Sequence, residues 1–382
     1  MLDPNRLVNN RDYFYNQTKI RGSTSFYVNF LNSYDKLNEK DDINPDDVIN
    51  LSRSYINGEK NLKGNLKDLI LNYLKISNET LEIVPKSSDG FKVINKREYN
   101  KNLSSPNDYK KIGEDCGIFK KDIADRIYCE GFPFLFRKGA KLERALINFM
   151  IEKNVENGFE EVSVPTIVND ISMFQTGAFP RKKNNVYKIE NENLYLNPTA
   201  EIQITNLLSD YSFSQNDLPL RLVGYSRSFR VERDKKITKY TTLHEFGKVE
   251  LFKATTSDNV KEEYNHLLNS CREIIECLKL PYREILLSSD DMGIASKQTR
   301  DFEIYFPGSK KWVEISSCSM LGEFQSRRMN AKYKTLSGKE KYLHTLHGSG
   351  LSIPRVISGI IENYQNSSGS FDIPKVLKKY LR

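Results

Sequence analysis

The side chains best suited to chemistry lie within residues 218–255. Two stretches rich in strand formers, 221–232 and 241–252, flank a highly charged segment at 233–240, which predicts strand, basic loop and strand. Side chains two apart in a strand share a face. Arg230 and Glu232 therefore stand together on the first strand, and His244, Phe246, Lys248 and Glu250 together on the second. The opposite face of the second strand carries Leu243, Val249 and Leu251, interrupted by Glu245 and Gly247. A face that offers a guanidinium, carboxylates, an aromatic ring and a basic loop suits a ligand with a phosphate, a ring and an amine. Arginine forks match phosphate oxygens, a phenyl ring stacks on a base, and a carboxylate holds an ammonium. Taken alone, the same hairpin is equally well described as a solvated face with ordinary charge alternation.

The elements around this hairpin change character along the chain. With 382 residues, the length allows one large domain and a smaller one, or two to three domains. Residues 1–22 open with an extended MLDPN and a short helical pattern at Leu7, Val8, Tyr13 and Phe14. Phe26, Phe30, Tyr34 and Leu37 repeat at helical spacing, as do Val48, Leu51 and Tyr55, and then Leu62, Leu66, Leu69 and Tyr73. Pro45, Gly58 and Gly64 separate these segments, so a compact helical domain over 1–78 is expected, not one long rod. Residues 79–106 are rich in Ser, Asn, Lys, Gly and Pro and read as a linker with one possible short strand at 91–94.

From 107 to 382 helix and strand alternate. Leu142, Leu146, Phe149 and Met150 mark one face of a helix closed by Gly158, and FEEVSVPTIV follows as a strand. LYLNPTAEIQITNL reads as a strand entering a helix, and Tyr264, Leu268, Cys271 and Ile275 mark the inward face of another helix. Residues 301–306 and 312–319 pair as a hairpin around PGSKK, and 356–364 form a last buried helix. Hairpins with helices packed to one side define an α+β fold built on an antiparallel sheet.

Composition excludes some classes. No run of 18 apolar residues occurs, so no transmembrane helix is expected. The N-terminus MLDPNRLVNNRDYF lacks the apolar core of a signal peptide, which points to the cytoplasm. Cys116, Cys129, Cys271, Cys277 and Cys318 form no CxxC pair and read as reduced thiols, with neither disulfide nor zinc. Cys318 near Glu314 has no companion at metal spacing. A net charge of +8 permits a nucleic-acid partner without requiring one.

Three separated segments make a set: LERALINFMIEKNVENGFEEVSVPTIV, the hairpin above, and GSGLSIPRVISGIIENYQ, where a glycine turn precedes an arginine at a helix start. Their order and spacing resemble motifs one, two and three of the class II aminoacyl-tRNA synthetases. LYLNPTAE, DDMGIASKQTRDFEIYFPG, VEISSCS, FQSRRMN and LHTLHGSGL resemble the seryl-tRNA synthetases in particular, over 112–382 and about the first twenty residues. The resemblance implies a catalytic domain at 107–382 that activates serine with ATP and Mg²⁺ and passes it to tRNA, working as a homodimer. It implies that Arg230 binds the α-phosphate and the serine carboxylate, that Glu232 lies at the adenine side, and that Phe246 stacks on adenine. Glu314 would hold the magnesium ion and ATP with Ser317 beside it, and Arg355 would take the γ-phosphate. Thr199, Glu201, Glu250, His347 and Ser349 would form the serine pocket, and Pro165 would lie at the dimer interface. Taken singly, Pro165 is a strand terminator, Ser317 a satisfied strand polar and Glu314 a surface acid.

Such residue types answer the chemistry. A carboxylate attacking the α-phosphorus brings two anions together, so cationic clamps and a dication must offset the charge, and no nucleophilic side chain is needed. Three departures from the resemblance stand out. Thr242 occupies a position where the family has arginine, His347 one where it has asparagine, and residues 23–76 are too few and too interrupted for the family's long two-helix arm. A serine–tRNA ligase with a shortened arm is therefore expected, the alternatives being a paralogue with another acceptor and a catalytically silent RNA-binding homologue. Because the three motifs lie outside 23–76, that segment is expected to be dispensable for activation.

Overall fold

In the computed structural model, residues 1–59, 61–99, 105–120, 123, 126, 131–132, 134–232 and 240–381 are described. The charged loop at 233–239, expected to carry part of the second motif, and Cys129 lie outside them.

Five helices come first: α1 (Pro4–Asn9), α2 (Arg11–Ile20), α3 (Thr24–Asp41), α4 (Pro45–Ile56) and α5 (Gly64–Lys75). MLDPN is not extended as expected. Asp3 accepts from the Asn5 amide and Pro4 sits at the first helical position, where a missing N–H costs nothing. Pro45 likewise starts a helix, with Asn44 and Asp47 capping each other reciprocally at 2.9 and 3.0 Å. The apolar stripes converge on a core of Leu7, Phe14, Tyr27, Phe30, Leu69, Ile70 and Tyr73.

The strands are β1 (Lys92–Arg97), β2 (Glu160–Glu161), β3 (Ile167–Asn169), β4 (Leu194–Leu196), β5 (Ser212–Ser214), β6 (Leu220–Phe229), β7 (Glu245–Thr255), β8 (Tyr282–Leu286), β9 (Gln298–Phe306), β10 (Lys311–Gly322), β11 (Lys332–Lys334), β12 (Glu340–Tyr342) and β13 (His344–Ser352). Eight of them form one sheet in the order β1-β8-β9-β10-β13-β7-β6-β2. Its neighbours are antiparallel except for the parallel β2–β6 pair. Within the stretch read as a linker, 79–106, the possible strand at 91–94 is the edge strand β1, which runs on to Arg97. All six residues of β1 are exposed, so the alternation that would have announced it is missing. FEEVSVPTIV, expected as one strand, keeps only Glu160–Glu161 and Ile167–Asn169 in ladders, because Pro165 between them has no N–H to donate.

Helices Lys138–Glu156, Val260–Cys277 and Ile353–Asn363 cover one face of the sheet. Leu142, Phe149, Leu267, Ile274, Val356 and Ile360 pack there on Val249, Leu251, Phe302, Ile304 and Leu346. Each such side chain taken from water contributes about 1.5–3 kcal/mol, which pins the register and commits Phe246, Lys248 and Glu250 to the other face.

The five N-terminal helices do not stand away from this body. Asn78 donates its amide to the Ile294 carbonyl at 2.7 Å and its side chain to those of Ala295 and Leu321 at 2.8 Å. Glu79 receives two hydrogen bonds from Arg6 and one from Lys297, at 2.9–3.0 Å. Arg53 reaches the Arg327 carbonyl at 3.0 Å and Tyr342 at 2.7 Å. Within 23–76, Arg53, Tyr55 against Phe174 and the Leu74 carbonyl that takes Arg328 all touch the body, which argues against the segment being dispensable. Among the described residues no helix is long and apolar enough to cross a membrane.

Candidate active site

The open face of the sheet forms the floor of a cavity of about 500 Å³. Arg230, Glu232, Phe246, Glu314, Ser317, Arg355, Thr199, Glu201, His347 and Ser349 all line it, and so does Thr242. Residues drawn from segments as far apart as 199 and 355 therefore meet in one place.

Arg230 follows the end of β6, where its amide still pairs with the His244 carbonyl at 2.9 Å. Its Nε donates to the Pro198 carbonyl at 3.2 Å, and its guanidinium carbon lies 5.1 Å from the centre of the Phe246 ring. The side chain opens into the cavity yet is ringed by protein, and this desolvation, with Arg355 nearby, holds its pKa below the usual arginine value. Two cations facing one cavity are ready for an anion.

Arg355 lies at the start of the helix Ile353–Asn363, behind Pro354. It donates to the Thr241 carbonyl at 3.1 Å and the Glu314 carbonyl at 2.7 Å, and stands 3.3 Å from the Glu314 carboxylate. In a regular strand Glu314 and Ser317 would point to opposite faces. A register shift between Glu314 and Ser316 brings both to the cavity. A carboxylate and a hydroxyl are hard oxygen donors, and an octahedral magnesium ion takes one or two carboxylates while phosphate and water fill the rest, so the pair fits that ion. Among the described residues no cluster of three or more His, Cys, Asp or Glu side chains is built for a metal. Behind Ser317, burial and then Glu314 push the Asp301 carboxyl up to about 8.

The second cluster surrounds Glu250, which is fully buried and stands behind the cavity wall. Thr199 Oγ1 donates to its Oε2 at 2.7 Å, Lys248 Nζ and His347 Nε2 both contact the carboxylate, and Lys248 also donates to Thr199 at 3.0 Å. Burial alone would raise this carboxyl, but Lys248 and His347 outweigh it and hold it down to about 2. His347 lies 3.6 Å from Glu201 as well. Burial would lower the imidazole, whereas Glu201 and Glu250 together raise its pKa above the ordinary value. Gln325 donates to Glu201 Oε1 at 2.9 Å and fixes its orientation. Ser349 presents its side chain to the cavity while its carbonyl takes Ser316 and Cys271.

Sequence reasoning put Lys248 on the correct face without seeing that it neutralises Glu250, although the period-two spacing from Phe246 was the available signal. Gln325 sat unassigned in FQSRRMN. Lys182, a further cation on the cavity wall beside Arg230, Lys248 and Arg355, lies in a segment, RKKNNV, that carried no pattern. Pro165 is exposed, as is Ile167 at 45%, and neither belongs to the cavity.

Residues 186–364 match the tRNA synthetase class II core domain (G, H, P, S and T). A serine–tRNA ligase of Mycoplasma genitalium is 32% identical over 413 aligned residues, covering 100% of this chain and 99% of the relative. One of Wolbachia pipientis subsp. Culex pipiens is 40% identical over 334 residues, covering 85% and 77%. The crystal structure of a seryl-tRNA synthetase from Pyrococcus horikoshii complexed with ATP superposes with a TM-score of 0.88 at 24% identity, over 100% of this chain and 98% of that one, which establishes the fold. The chain belongs to the serine–tRNA ligase family, within the class II aminoacyl-tRNA synthetases.

Proposed function

We propose that this chain activates serine with ATP and transfers it to the 3′ end of tRNA, and that the two clusters divide the first step between them. The observation that carries this reading is the placing of Arg230 and Phe246 beside the Thr199–Glu201–His347 cluster in one cavity. Phe246 offers a face for adenine, with Glu232 on the same side. Arg355 lies where it can take the outer phosphates, and Arg230 where it can clamp both the α-phosphate and the amino acid carboxylate. Glu201, held by Gln325, and Thr199 can accept the substrate ammonium. Glu250, already neutralised, positions Thr199, Lys248 and His347 instead of carrying free charge to the ligand.

A serine carboxylate oxygen then attacks the α-phosphorus and the bond to the bridging oxygen of pyrophosphate breaks, leaving seryl-adenylate and pyrophosphate. The residues contribute position and positive charge, which suffices when the nucleophile is the substrate itself. Magnesium held by Glu314 and Ser317 would add positive charge on the phosphates. Transfer of serine to a ribose hydroxyl completes the ligase reaction. We further propose a homodimer formed through the face that carries Pro165, with a helical unit at 1–78 contacting tRNA beside the catalytic body at 107–382, and action in the cytoplasm.

The test is amino-acid-dependent ATP–pyrophosphate exchange across the twenty amino acids, followed by charging of total tRNA. Serine should support the fastest exchange and label tRNA. Exchange best with an amino acid much larger than serine would sink the reading of the pocket. Strong exchange with no tRNA labelled would favour an acceptor other than tRNA.

A further inference from the structure

Two arginines are buried where the N-terminal helices meet the walls of the cavity, and among the described residues neither makes an ion pair. Arg21, 6% exposed at the end of α2, donates to the carbonyls of Ser289, Gly293 (2.5 Å) and Met292 (3.4 Å). Arg328, 1% exposed, donates to the carbonyls of Leu74 at the end of α5 (2.6 Å), Phe174 (2.8 Å) and Phe179 (3.3 Å). A buried charge is costly unless its donors are met. Here the terminal nitrogens of both forks are met by backbone carbonyls, which the planar guanidinium can bridge and a lysine ammonium cannot match, while the Nε of each is buried with no partner.

The backbone so held reaches the cavity wall at Gly293 and flanks it at Phe174 and Phe179. Gly293 to Ser296 line one side and Thr176 to Ala178 the other. Asn78 fastens the first wall again, at Ile294 and Ala295. Both walls adjoin the cluster around Glu250. Ser296 donates to Ser319 at 3.1 Å, and Ser319 lies directly opposite His347 in the β10–β13 ladder. Gln325 spans the Thr176 carbonyl at 3.2 Å and Glu201 at 2.9 Å.

We propose that Arg21 is a positioning residue for amino acid activation: its fork, with Arg328 across the cavity, sets the two walls that enclose the amino acid, so the N-terminal helices take part in activation as well as in any contact with tRNA. This rests on the reading that the Glu201–His347 end takes the amino acid. A wall released from its carbonyl clamp leaves Arg230, Phe246 and Arg355 in place. The effect therefore falls on the amino acid and spares ATP.

The test uses the full chain with Arg21→Ala and Arg21→Lys, measuring exchange kinetics and amide hydrogen exchange. Arg21→Ala should raise KM for serine by ~10-fold or more, the scale of one lost charge-assisted hydrogen bond, with KM for ATP within about twofold. Arg21→Lys should raise it less. Amides 289–296 should exchange faster while those of β7 keep their protection. A fall in kcat with KM for serine unchanged would mean only fewer folded molecules and would overturn the proposal, as would unaltered exchange at 289–296. If Arg21→Ala does not fold, Arg21→Lys carries the same two readouts. Failure of the wild-type chain to use serine would overturn the pocket reading instead, and is seen without any variant.

Discussion

Arg230 and His347 make separable demands on the chemistry. Arg230 strengthens its hold as charge builds at the α-phosphate, so Arg230→Ala should lower the activation rate ~100-fold or more while leaving the thermal midpoint near that of wild type. A rate within a few-fold of wild type would remove Arg230 from the clamp. His347 stands between two carboxylates that raise its pKa despite burial. Its ionic contacts are fully present below the ordinary histidine value and are lost as pH rises through the raised one. KM for serine should therefore worsen toward alkaline pH. His347→Asn removes the titrating group, and should flatten that dependence while keeping serine in use, because an amide offers a donor and an acceptor at every pH. Equal slopes for both proteins would show that His347 does not govern the pocket.

At the scale of elements, the docking of α1 and α2 onto the body turns on Glu79. Burial would raise its carboxyl, but Arg6 and Lys297 outweigh burial and hold it down to about 2. Its contribution is present above the ordinary glutamate value near 4.5 and is lost as pH falls toward about 2. Glu250, Glu263 and Glu323 titrate in the same window, so the molecule as a whole should lose stability there. Glu79→Gln should lower the thermal midpoint at pH 7 and shrink the gap to wild type as pH drops from 4.5 toward 2. A gap independent of pH would mean that the Glu79 charge contributes nothing. The hairpin β6–β7 behaves differently, since its register is fixed by Val249 and Leu251 against the helices, and ionic changes at its other face should not move it.

At the scale of the molecule, the short N-terminal unit sets limits on the acceptor. The longest of its helices, α3, has 18 residues and spans ~27 Å, too little to run far along an extended RNA arm. Deleting 23–76 removes the α3–α5 packing of the unit's own core and the contacts of Arg53, Tyr55 and Leu74 that tie it to the body. Serine-dependent exchange should then fall sharply, together with the thermal midpoint. Exchange at the wild-type rate after deletion would restore the view that this segment serves tRNA alone. The proposed homodimer should sediment at twice the 44.3 kDa chain mass, and charged substitutions at Pro165 and Ile167 should shift it toward the single-chain mass. A monomer at micromolar concentration would exclude the dimer.

Much of this was readable from residue order because periodicity is a local property. The period-two face of β7 and the apolar stripes of the helices survive without tertiary context and picked out Phe246, while the resemblance of the motif strings singled out Arg230, Glu314 and Arg355; all four line one cavity. What escaped depended on partners distant in the chain. Whether Glu250 meets substrate or is spent on Lys248 of its own strand and on His347 is decided in part by a strand 97 residues away in sequence. Strand β1, partly anticipated at 91–94, runs on to Arg97 without an apolar face to mark its extent, since it is held by the backbone bonds of β8. Arg21 carried no signal in sequence, because nothing local shows that its terminal nitrogens meet carbonyls some 270 positions away. Local spacing specified which side chains could do the chemistry, and the long-range packing of carbonyls and carboxylates around them decided which charges remain free to act.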